Sequence, residues 1–244
     1  MRTIFKRNNQ ALEFENQVLT RKFPDILAPA RWYDFSDEST VTLNGNDISQ
    51  VDDKSGNGIN MIQPTASAQP SYETVDGLYT AHFNLEHVLY MTTELVDCRT
   101  VAIVSYEDVS DPKESWGTLL SPLDGSNGWH RNDDPDGWVP ESNNYIYDDY
   151  WEPNNPNSAR YGTTWLNNTN VGSGTTTRWP GDAFGVILTV PGGPLPIGLV
   201  GMDRGISSRH FNGKLGEYLA FDRVLNSQEI DLLNRYLMSK WRIS

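Results

Sequence analysis

The sequence predicts an all-β sandwich closed by one C-terminal helix. Three observations carry this. Short apolar runs bounded by Gly, Pro, Asn or Asp recur along the chain, as strands between turns do. One late segment, residues 226–241, spaces its apolar residues helically. The 244 residues suit a single large β domain, with a core that needs no staples. A single cysteine, Cys98, rules out an internal disulfide framework and predicts folding in a reducing cytosol.

Taken in order, residues 1–27 read as an arm. Arg2, Lys6, Arg7, Arg21 and Lys22 outnumber Glu13 and Glu15, so a basic piece sits on an acidic protein. It lacks the apolar stretch of a signal peptide, which predicts a protein that stays out of the general secretory route. Its expected use is docking onto a neighbouring subunit; the competing reading is a self-packed or disordered terminus. Strands follow over 31–35, 40–43, 78–83, 88–92 and 100–106, then 183–190, 197–202 and 214–222. Val101-Ala102-Ile103-Val104 and Gly185-Val186-Ile187-Leu188 have the continuous apolar character of central strands buried on both faces.

The C-terminal stretch is the most explicit. Asn212-Gly213 reads as a tight turn, since both residues tolerate positive φ. Simple alternation then puts Leu215, Glu217, Leu219 and Phe221 on one strand face, and Gly216, Tyr218 and Ala220 on the other. Asn226 caps a helix, with Glu229 three residues on to complete a capping box. Ile230, Leu233, Leu237 and Trp241 form its buried stripe.

Between the two halves lies an insert, at about residues 110–182. It holds six of the eight tryptophans, among Asn, Asp, Pro, Gly and Tyr, with weak periodicity. That composition predicts long ordered loops or short irregular strands, and long loops tend to be functional. Flat aromatic faces suit sugar C–H groups, while planar amides and carboxylates suit sugar hydroxyls. Trp129, Trp138, Trp151, Tyr150, Asn132, Asp134 and Asn143 are therefore the candidate glycan site. The alternative is that these aromatics pin loops or form a subunit contact. Asn132, Asp134, Asp136 and Gly137 follow the start of a calcium loop. Asn143 stands where an EF-hand needs a bidentate Glu, so an EF-hand is rejected. A looser calcium site on Asp133, Asp134 and Asp136 competes with a plain Asp-rich turn.

Two groups of residues carry a family resemblance. Gly213, Leu215, Glu217, Phe221, Asp222, Arg223 and Leu225 follow a strand pattern, and Tyr236, Leu237, Lys240 and Trp241 follow a helix-end pattern. Near the N-terminus stand Trp32-Tyr33-Asp34-Phe35-Ser36-Asp37 and Asp53-Lys54-Ser55-Gly56-Asn57-Gly58. Together they resemble the concanavalin A-like (laminin G-like) jelly-roll family, over residues 28–244. The strand over residues 81–89 departs from the family's pattern. The resemblance implies a jelly-roll sandwich of the kind found in bacteriophage virion proteins. In this setting Glu217 is expected to be structural, pairing with Arg223 or accepting backbone hydrogen bonds.

Charge and motifs narrow the function. A net charge of −13 argues against nucleic acid as the main partner. No apolar run is long enough to span a membrane as a helix. The histidines show no His-Glu-x-x-His pattern, and there is no Gly-x-Ser-x-Gly elbow or paired strand carboxylates, so no enzyme activity is expected. Asn167-Asn168-Thr169 matches a glycosylation acceptor, expected to carry no sugar in a cytosolically made chain. The expectation is a phage structural protein of the capsid, collar or tail, made in the host cytoplasm. It is expected to be oligomeric through its arm, with host-surface glycans as further partners and no cofactor unless calcium. A free-standing carbohydrate-binding module is the alternative, and a glycoside hydrolase or lyase the third.

Overall fold

The computed structural model describes residues 23–84, 86–107, 118–123, 129–130, 146, 162–173, 177, 183–202 and 210–244. Within them the chain is all-β with one short C-terminal helix. The strands are β1 (Arg31–Asp34), β2 (Val41–Asn44), β3 (Asp47–Val51), β4 (Met61–Ile62), β5 (Ser71–Val75), β6 (Leu78–Phe83), β7 (Leu89–Cys98) and β8 (Thr100–Glu107). They continue as β9 (Thr118–Ser121), β10 (Trp129–His130), β11 (Thr163–Leu166), β12 (Thr169–Gly172), β13 (Gly185–Val190), β14 (Leu195–Val200) and β15 (Gly213–Phe221). Helix α1 spans Ser227–Lys240.

The described strands form one curled antiparallel sheet. Its order is β10-β9-β14-β7-β4-β3-β5-β6-β15-β8-β13-β11-β12, with β1 added to β15 and β2 to β3. The centre is β15, β8 and β13, whose side chains alternate between two apolar clusters. Val101, Ile103, Ile187, Tyr218 and Ala220 face the larger core, which also holds Leu89 and Met91 of β7 and Leu195 and Ile197 of β14. Ala102, Val104, Val186, Leu188, Leu219 and Phe221 face α1 and its stripe of Ile230, Leu233, Leu237 and Trp241. Both predicted central strands are thus buried on both faces.

Helix α1 begins as the sequence predicts. The Asn226 side chain accepts from the Gln228 and Glu229 amides, and Glu229 accepts from the Asn226 amide at 2.9 Å. All four stripe residues are buried. Each contributes roughly 1.5–3 kcal/mol when fully buried, so packing, not helix propensity, holds α1 in place.

Two details of β15 differ from simple alternation. Leu215 lies opposite Ser105, yet Glu217 lies opposite Val104, so Gly216 is the extra residue of a β-bulge. The bulge turns Leu215 into the larger core beside Tyr218 and Ala220, away from Leu219 and Phe221. Gly216 itself lies under the Trp241 indole: a Cβ there would sit 2.6 Å from the ring. Nor is Asn212-Gly213 a hairpin turn. Gly213 is already in β15, paired with both Phe83 and Glu107.

Four short strands, β9 to β12, fall inside the segment read as an insert. They belong to the main sheet, and Leu119 and Leu120 lie in the larger core. Trp165 packs half-buried against the helix-side cluster. Asn167 and Asn168, at φ 46° and 63°, form the two-residue turn between β11 and β12, as asparagines tolerate. Residues 23–27 also join the body. Leu27 is buried, and its carbonyl accepts from Arg223 at 2.9 Å.

Candidate functional site

The residues that carry the sequence motifs converge on one place, where the end of α1 crosses β15 and β1. Alternation on β1 turns Trp32 and Asp34 toward the helix side. The bulge at Gly216 turns Glu217 the same way, and the last helical turn delivers Tyr236, Lys240 and Trp241.

Glu217 is fully buried and receives four donors. Trp32 Nε1 reaches Oε1 at 2.8 Å, and the Tyr236 hydroxyl reaches the same oxygen at 3.3 Å. Lys240 Nζ at 2.7 Å and Trp241 Nε1 at 3.1 Å reach Oε2. Lys240 bridges on to Asp34 Oδ1 at 2.6 Å. Asp34 Oδ2 takes Lys54 Nζ at 2.8 Å, and Lys54 also holds Asp37 Oδ2 at 2.6 Å. Lys54 lies 4.6 Å from the centre of the Trp32 ring. The result is a chain of alternating charge, Asp37–Lys54–Asp34–Lys240–Glu217, walled by two indoles.

The loop that delivers Lys54 is organised by Asp53. Its carboxylate accepts from the Trp32 amide at 3.1 Å, the Ser55 amide at 2.9 Å and the Ser55 hydroxyl at 2.7 Å. Gly56 and Gly58 take φ 87° and 71°, which lets so short a loop return to β1. Asn57 Nδ2 then donates to the Ala30 carbonyl at 3.1 Å. Each residue of this run therefore serves to hold β1 and present one lysine.

Electrostatics differ along the chain of charges. Burial opposes the Asp34 carboxylate, but Lys240 and Lys54 outweigh it and hold its pKa below the usual range. Lys54 and Ser39 hold Asp37 down to about 2. Burial pushes Glu217 upward, and the Asp34 charge adds to that, against the pull of Lys240. Burial also raises the Tyr236 phenol, helped by the charges of Glu217 and Asp34.

Arg223 and Glu217 do not pair, contrary to the sequence expectation. Arg223 forks onto both Glu229 oxygens at 2.9 Å and pins the start of α1. Glu217 takes side-chain donors only among its described hydrogen bonds.

On the solvent side of this network, and sharing Trp32, Asp37, Lys54 and Tyr236 with it, a cleft of about 480 Å³ opens, lined also by Phe23 and Asp25. Phe23 and Tyr236 form one wall, with ring centres 4.9 Å apart and planes tilted by 58°. Sequence reasoning marked Trp32, Asp37, Lys54 and Tyr236 only as motif members. It assigned Phe23 and Asp25 to the arm. The available signal was the Trp-x-Asp-x-x-Asp spacing, which sets Trp32 and Asp34 on one side of a strand and Asp37 at its end.

The predicted glycan residues Trp138, Trp151, Tyr150, Asn132, Asp134 and Asn143 lie outside the described residues. So do the calcium candidates Asp133, Asp134 and Asp136. Trp129 is placed by its backbone alone, in β10 opposite Leu120. Among the described residues, no group of three or more His, Cys, Asp or Glu side chains gathers as a metal ligand set. No described helix is long and apolar enough to cross a membrane. Compared with known families, with characterised proteins and with solved structures, the sequence and fold match none.

Proposed function

We propose that this chain is a structural component of a bacteriophage virion, a capsid decoration, collar or tail protein built on a laminin G-like jelly roll. It is made in the host cytoplasm and is oligomeric through its basic arm. Its aromatic segment displays a lectin-like surface for host glycans. The observation that carries this reading is the convergence of the resemblance motifs on one saturated network. Trp32, Asp34, Lys54, Glu217, Lys240 and Trp241 engage one another across the fold. Such use of carboxylates and lysines suits a scaffold. A hydrolase of this kind instead sets two carboxyl groups across an open cleft, where substrate reaches both. The unlike charges of arm and body support assembly of copies.

The test is light scattering and negative-stain imaging of the purified chain, with a glycan array beside them. A defined oligomer or a particle-bound ring is the expected result. A monomer that binds glycans would move the reading to a free-standing carbohydrate-binding module. Turnover of a polysaccharide would move it to a hydrolase or lyase.

A further inference from the structure

We infer that the cleft beside the buried network is the receptor for the basic end of a second copy's arm. An arginine or lysine from positions 2, 6 or 7 of that copy is the group it takes. This rests on the assembly reading above and names the surface that would carry it.

The chemistry of the cleft is that of a cation site. Phe23 and Tyr236 offer half-buried ring faces, and a cation over an aromatic face is attracted by the ring quadrupole. Asp25 is exposed at the rim and Asp37 is part-exposed within it. Four carboxylates stand in or directly behind the cleft: Asp25, Asp34, Asp37 and Glu217. Among the described residues, two lysines, Lys54 and Lys240, stand against them. The acids outnumber the lysines whether or not Glu217 carries a proton. In line with that balance, burial first and then the charges of Glu217, Asp34 and Asp25 push the Tyr236 phenol's pKa upward.

The occupant follows from charge and chain length. Residues 1–22 carry five basic and two acidic side chains, which leaves a balance of −16 on the rest of the chain. Bodies so charged repel one another. The arm is the piece of opposite sign, and the described chain starts at Phe23, in the cleft wall itself. Residues 8–20 separate the basic end from the arm's base. Extended, they span roughly 45 Å at about 3.4 Å per residue, enough to reach a neighbouring copy.

The experiment is sedimentation equilibrium of the full-length chain at about 50 mM and about 500 mM salt, since exposed ion pairs weaken as screening grows. The variants are Asp25→Lys, the arm triple R2E/K6E/R7E, and the two combined, with circular dichroism to check each fold. The wild type is expected to self-associate at low salt. Asp25→Lys and the arm triple should each weaken association about tenfold or more, and the combined variant should recover most of it. Asp25→Asn serves as the milder variant and should give a smaller loss. Association lost in the arm triple but unchanged in Asp25→Lys would overturn the cleft as receptor and leave arm-driven assembly standing. A wild type that stays monomeric at both salts would overturn the second copy as occupant. If that monomer still joined particles, the virion reading would survive without it.

Discussion

Two ion clusters meet β15 three residues apart. Lys214 belongs to one, with Glu73 and His82; Glu217 belongs to the other, with Asp34, Lys54 and Lys240. In the first, Glu73 accepts from His82 Nδ1 at 3.0 Å and lies 3.5 Å from Lys214, with 41% of its side chain exposed. In the second, the Glu217 side chain is fully buried and four donors surround it. Water substitutes for a lost partner in the first cluster and cannot in the second. The same chemical groups on the same strand therefore trim a surface in one place and fasten a helix in the other.

The largest effect should separate the clusters directly. Lys240→Met strands Asp34 and Glu217 against each other in a dry site, and should destabilise by about 3–5 kcal/mol in urea unfolding. Lys214→Met should stay within about 1 kcal/mol. Equal losses would erase the distinction. Leu233→Ala, which opens a cavity under α1 without touching a charge, should lose about 2–5 kcal/mol. Trp241→Phe keeps most of the ring but removes one donor to Glu217, and should lose about 1–3 kcal/mol by the same measurement.

Acid should read the buried cluster by sign. Asp34 and Asp37 have folded pKa values below their ordinary value of 3.8, Asp37 at about 2. The unfolded chain binds more protons there, so their stabilisation is whole above about pH 4 and is lost as pH falls toward about 2. Glu217, raised above its ordinary 4.5, works in the opposite direction and gains as pH falls toward 4.5. Urea midpoints should rise as pH falls from 7 toward about 4.5, as Glu217 takes its proton, and drop below about 4 as Asp34 and Asp37 take theirs. In Lys54→Gln that low-pH drop should shrink. A drop of unchanged size would show that Lys54 does not set it.

The smallest effect is an expected silence. Burial pushes the Cys98 thiol up to about 12, so iodoacetamide at pH 8 should leave the folded chain unmodified and label it in denaturant. Labelling of the native chain would show that the larger core opens between β7 and β15.

Where pattern and packing agreed, the sequence was readable. The capping box at Asn226 and the stripe from Ile230 to Trp241 are local, and they stand as predicted. The central strands announced themselves through continuous apolar residues. By contrast β3, β4, β5, β11 and β12 are short and mostly part-exposed, so little periodicity marks them. β7 runs on to Cys98 because Thr92-Thr93-Glu94 bulges out of register with β14, which hides the strand's second half from an alternation rule. The bulge at Gly216 did the same to Leu215. The network was visible only as scattered motif letters. Its members join across the whole chain, as Lys240 to Asp34 and Trp32 to Glu217 do, and no local spacing reports such contacts.

That span has a consequence for the newborn chain. Synthesis yields Trp32, Asp34 and Lys54 early, Glu217 late, and Tyr236, Lys240 and Trp241 later still. Until residues 236–241 clear the ribosome, Glu217 lacks three of its four donors and Asp34 lacks one lysine. Every earlier length of the chain must hold those acids in water, so the helix side of the sheet stays wet throughout elongation. The seal on this face can close only after translation of the helix, and a chain stopped short of Lys240 would leave both Asp34 and Glu217 short of donors.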